Sequence, residues 1–102
     1  MKIIKKLSEM IEEEIAGAEE YAKCALKYKA DMPELASAFS RMSHDEIGHV
    51  NLLHKNVVKI IDDYRRENGE PPEAMLAVYN FLHERQIENM AKVKTIQNMY
   101  NE

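Results

Sequence analysis

Tryptophan is absent from this chain, cysteine occurs once, and glycine and proline occur three times each in 102 residues. Each shortage removes a class of protein. The lone Cys24 excludes an internal disulfide and any cysteine-only zinc or iron–sulfur site within one chain. So little turn material, beside 45% apolar and 31% charged residues, describes a helical bundle and not a sheet. The net charge is −4 and the basic residues are scattered, so no nucleic-acid partner is expected. No apolar run approaches ~18 residues, which excludes a membrane-spanning helix. Without tryptophan or a basic amphipathic face, binding to a membrane surface is not expected either. Met1 to Lys6 carry charge with no apolar core of signal-peptide length behind them. The expectation is a cytoplasmic protein.

What is there reads as one all-α domain spanning residues 1–102, with three helices over about 3–30, 33–68 and 73–100. Asp31-Met32-Pro33-Glu34 is the first break. Pro33 suits a first helical turn, and Asp31 with Glu34 has capping-box spacing. Arg65 and Arg66 favour the dipole at the end of the second helix, and Asn68-Gly69 reads as its stop. Glu70-Pro71-Pro72-Glu73 opens the third. Both connections are short, so neighbouring helices should run antiparallel.

Helical periodicity in the first segment gives an apolar seam of Ile4, Leu7, Ile11, Glu14, Ala18, Tyr21, Ala25 and Tyr28. Glu14 is the wrong residue for it, whereas Glu12 and Glu13 read as solvated. The second segment gives Leu35, Phe39, Met42, Glu46, His49, Leu53, then Asn56 or Val57, and Ile60, where Glu46 and His49 interrupt the stripe three residues apart. A second stripe of Ile47, Val50, Val57 and Ile61, with His54 among them, implies a helix covered from two sides. The third carries Leu76, Tyr79, Leu82, Ile87, Met90, Val93, Ile96 and Tyr100, with His83 at the edge and Glu84 and Glu88 facing solvent. His44 and Asp45 fall on the solvent side.

The three odd residues converge. Glu14 lies 18 residues before Met32, and Glu46 and His49 lie 14 and 17 after it. At ~1.5 Å of rise per residue, those heights in an antiparallel hairpin agree within about one turn. Carboxylates bind and bridge hard cations, and imidazole suits iron, manganese or zinc. One Glu facing a Glu-x-x-His pair is half of the donor set of a four-helix carboxylate-bridged dimetal site.

The pattern Glu14-x6-Tyr21 followed by Glu46-x-x-His49 resembles the ferritin-like superfamily, including rubrerythrins and bacterial encapsulated ferritins. The likeness covers roughly residues 8–55. It implies two irons per site, bridged by Glu46, with Glu14 and His49 as terminal ligands and Tyr21 just behind them. No second Glu-x-x-His follows His49, so a complete site needs a second copy of the chain. The expected assembly is therefore a homodimer, or a larger even-numbered oligomer, in which two hairpins make one ferritin-like four-helix bundle. There is no Cys-x-x-Cys module for rubrerythrin-type electron delivery. The chain ends at Asn101-Glu102 with no extension of the kind that docks encapsulated ferritins in an encapsulin shell, so such packaging is unsupported.

The leading expectation is a ferroxidase-type oxidoreductase that binds and oxidises Fe(II), with Glu14, Glu46 and His49 as its catalytic and metal-binding residues. A scavenger of peroxide or oxygen at the same site is the second. A metal-free helical oligomer, with the three residues as a polar network that fixes register, is the third.

Overall fold

Runs of strong helix formers, punctuated only around residues 29–32 and 69–72, fold as three helices: α1 Lys2–Tyr28, α2 Pro33–Asn68 and α3 Glu73–Tyr100. The computed structural model describes every residue from Met1 to Glu102. α1 stops two residues short of Ala30, because Met32 N–H donates to the Tyr28 carbonyl at 2.8 Å and closes a turn. The expected Asp31–Glu34 capping box does not form. Pro33 opens α2, so the N-cap position falls on Met32 and Asp31 comes one residue too early. α2 ends as expected on Gly69, the only residue with positive φ (78°), whose N–H donates to the Arg65 carbonyl at 2.9 Å. No helix is long and apolar enough to cross a membrane.

The bundle is 56 Å long and under 20 Å across, at 19 × 18 Å. α1 and α2 form an antiparallel hairpin, and α3 returns beside α1, packing more on it than on α2. The core is rotated from the seams expected above. Along α1 the buried line is Ile4, Ser8, Ile11, Ile15, Ala18, Ala22 and Ala25, in alternating steps of four and three. Leu7, Glu14, Tyr21 and Tyr28 form its half-buried shoulder. On α2 the expected second stripe is the buried one, at Val50, Val57 and Ile61, extended by Ala36 and Ser43. Leu35, Met42 and His49 of the first stripe are exposed, and Phe39, Glu46, Leu53 and Ile60 are half-buried. On α3, Val93 is buried as expected, Ile87 is exposed, and Gln86 and Gln97 take core positions.

Those buried polar residues are all paired, and they fix how the helices stack. Ser43 Oγ donates to the Ala18 carbonyl at 2.7 Å, and Gln97 Nε2 donates to Ser43 Oγ at 2.9 Å. One cluster thus ties all three helices at one level. Farther along, Gln86 Nε2 donates to Ser8 Oγ at 3.0 Å. α2 and α3 also meet through stacked imidazoles: His54 and His83 have centroids 4.6 Å apart and planes 11° apart, and Tyr79 stacks on the far face of the contact with His83. Nε2 of His54 is buried with no hydrogen-bond partner.

Two outcomes follow from this packing. Ser43→Ala leaves the buried Gln97 amide unpaired and should lower stability by about 1–3 kcal/mol, whereas Ser43→Ala combined with Gln97→Leu should lose less. Urea melts of the three chains check it, and a single variant as stable as wild type would refute the pin. Burial first, and the neighbouring His83 second, lower the His54 pKa below its ordinary 6.5. The unfolded chain therefore takes up that proton first as pH falls, so stability present above about pH 6.5 drains away below it. The urea midpoint should drop between pH 7 and pH 5 in wild type, and drop less in His54→Phe.

Candidate metal centre

Ser43 and Ala18 are in contact, and the two helices of the hairpin run in opposite directions. Stepping back four residues along α1 from Ala18 reaches Glu14. Stepping forward three along α2 from Ser43 reaches Glu46, and His49 follows one turn on. Both walks lead the same way along the bundle axis, so the core pin delivers all three side chains to one level. Their ligand atoms lie within 4.8 Å of one another. The height argument made from the sequence is met.

The environment differs from the expected buried seam. The cluster sits on the shoulder of the hairpin, on the side away from α3. The Glu14 and Glu46 side chains are 28% and 24% exposed and His49 is 57% exposed. No lysine or arginine reaches Glu14; its partner is His49, whose Nδ1 lies 3.4 Å from Glu14 Oε2. The same Nδ1 is 3.9 Å from Glu46 Oε1, beyond hydrogen-bond reach. Glu46 thus has an imidazole neighbour and no hydrogen bond. Nδ1, and not Nε2, is the imidazole nitrogen turned toward the carboxylates.

A carboxylate pair and one imidazole nitrogen facing one point are chemically suited to a divalent transition metal. Three donors satisfy half of a bridged pair of ions. Apolar residues extend from the cluster along the same face at helical spacing: Met10 and Ile3 on α1, Met42 and Leu35 on α2, from 36% to 48% exposed. Tyr21 lies on this face one turn beyond Gly17. It stacks on Phe39 (centroids 6.1 Å apart), which in turn stacks on Tyr28 at 6.2 Å, and its hydroxyl bonds to none of the three donors.

The other residues singled out in the sequence lie elsewhere. His44, Asp45, Glu84 and Glu88 are exposed, as expected. Cys24 is half-buried with Sγ 3.8 Å from Glu20 Oε1. Glu12 is not fully solvated: it is half-buried, with Oε1 buried and unpaired. His54 and His83 line a cavity of about 220 Å³ with Ile11, Val50 and Met90. Their nearly parallel rings do not form a metal pair, because lone pairs lying in parallel planes do not meet at one ion. In comparisons with protein-family models, curated proteins and solved structures, none matches this chain.

Proposed function

We propose that the chain is one half of a ferritin-like dimetal centre that binds and oxidises Fe(II), completed by a second copy across a two-fold axis. The observation that carries this reading is the convergence of Glu14, Glu46 and His49 within 4.8 Å on a face left open by the chain's own helices. A two-fold axis through the cluster doubles three donors into four carboxylates and two imidazoles, and the hairpin into four helices. Four negative charges are matched by two divalent cations. The same axis sets this face, with Met10, Ile3, Met42 and Leu35, against its copy and removes those residues from water.

Within this reading Glu46, the carboxylate with no hydrogen bond to lose, would bridge the ions, and Glu14 and His49 Nδ1 would be terminal ligands. Iron is the substrate: two Fe(II) lose one electron each, and dioxygen with two protons leaves as hydrogen peroxide. Manganese and zinc suit the same donors.

One observation favours the metal-free alternative, in which the cluster only sets the register between copies. Glu14 and His49 already pair at 3.4 Å, so neither needs a metal for a partner. Glu46 fits that alternative poorly, since a register network has no use for a carboxylate that it leaves unbonded.

Anaerobic titration with Fe(II) should reach one ion per chain, and sedimentation should show metal strengthening the dimer. Glu46→Ala should abolish tight binding, keep its helical circular dichroism and lose no apo stability. Stoichiometric iron in Glu46→Ala, or a wild-type monomer that holds two irons, would sink this reading.

A further inference from the structure

Gly17 occupies the interior of α1, where glycine is the least favoured residue after proline. Its backbone gives no reason for that choice, since only Gly69 has positive φ. Close packing of helix on helix gives none either. The nearest atoms to a Cβ built on Gly17 all belong to one side chain: Glu46 Oε2 at 3.5 Å, Cδ at 3.8 Å and Cγ at 3.9 Å. These are ordinary contacts, so alanine fits the carboxylate where it now lies. What alanine takes away is the space beside it.

Glu46 has use for that space. It accepts no hydrogen bond, and His49 Nδ1 is 3.9 Å away, so nothing fastens the carboxylate in its present position. A carboxylate that receives an ion must turn its oxygens toward it, and one that bridges two must turn both. Glu14 is held by His49, whereas the Glu46 carboxylate lies directly against the bare backbone of Gly17. Resting on the dimetal reading above, we propose that Gly17 is a positioning residue. Its missing side chain is the room through which the Glu46 carboxylate swings to take up metal, kept at the expense of helix stability.

Gly48 is the matched control. It too lies inside a helix without positive φ, and a Cβ there meets nothing within 4 Å. Gly17→Ala and Gly48→Ala should both raise the melting temperature of the apo protein, by roughly 4–8 °C. Only Gly17→Ala should weaken Co(II) binding, by roughly 10–100-fold, as is typical when the support of a metal ligand is altered. Its bound Co(II) should also show altered visible bands, reporting a changed coordination by Glu46. A purely structural glycine would move the melting temperature and neither of the other two. Wild-type affinity and spectrum in Gly17→Ala overturn this inference and leave the dimetal reading standing. Equal weakening in Gly48→Ala overturns it as well, since the effect would then belong to helix stiffness. Failure of the wild type to bind Co(II) removes the dimetal reading and this inference together.

Discussion

Ser43 Oγ, which donates to the Ala18 carbonyl and accepts from Gln97 Nε2, makes the contact on which the arrangement turns. Around it the α1–α2 seam is built from small residues: Ala18, Ala22 and Ala25 against Ala36 and Ser43. Small residues bring the helices close but contribute little apolar area and tolerate sliding, since one alanine packs much like the next. A buried polar pair does not tolerate sliding. One residue of slip in either helix strands an amide and a hydroxyl in the core, at about 1–3 kcal/mol each. In a domain whose net stability is expected to be ~5–15 kcal/mol, that penalty selects one register. The role of α3 follows from it. α3 supplies no residue to the Glu14–Glu46–His49 cluster, but its Gln97 and Gln86 lock the pair of helices that do.

Register is what the cluster needs most. Two carboxylates held this close repel each other by roughly 1–3 kcal/mol between water and a protein-surface dielectric. Neither has a cationic side chain beside it except His49. Such a placement is unfavourable unless a proton on His49 or a cation between the carboxylates offsets it. The fold therefore commits rigidity on the α3 side of the hairpin to hold an electrostatically uneasy group on the other.

Much of this could be read from the chain, and the parts that could not have one cause. Helix number, the two breaks and the meeting of Glu14 with Glu46 and His49 depend only on where the turn falls and on a rise of ~1.5 Å per residue, neither of which needs the core to be known. The rotation of each helix depends on choosing between lines of apolar residues one position apart. In α1 the half-buried Leu7 and Tyr21 outweighed Ser8 and Ala22, which are fully or nearly buried. In α2 the larger Leu35, Phe39 and Met42 outweighed Ala36 and Ser43 in the same way. Seen alone, Ser8, Ser43, Gln86 and Gln97 are surface-type residues, and only their mutual pairing makes them core. A strict heptad of Ala36, Ser43, Val50 and Val57 is the available signal. Gly17 was visible as a helix-interior glycine, but its neighbour across the hairpin was not.

The error in rotation bears on the function. A fully buried Glu14 would be a charge in the core of a single chain, and the cost of desolvating it would call for a partner within that chain. On the shoulder, the same residue is partly hydrated and can wait for one. The apolar residues on its face are in the same position: Met10, Ile3, Met42 and Leu35 are too exposed to stabilise the monomer, and they share the side of the cluster. Phe81 and Val78, more exposed still, lie on α3 and not beside the cluster, so exposure by itself does not mark the face. What marks it is the combination of exposed apolar flanks with two carboxylates and an imidazole gathered at one level. In the proposed dimer one closure satisfies both, because the axis that completes the ligand set is the axis that covers the flanks.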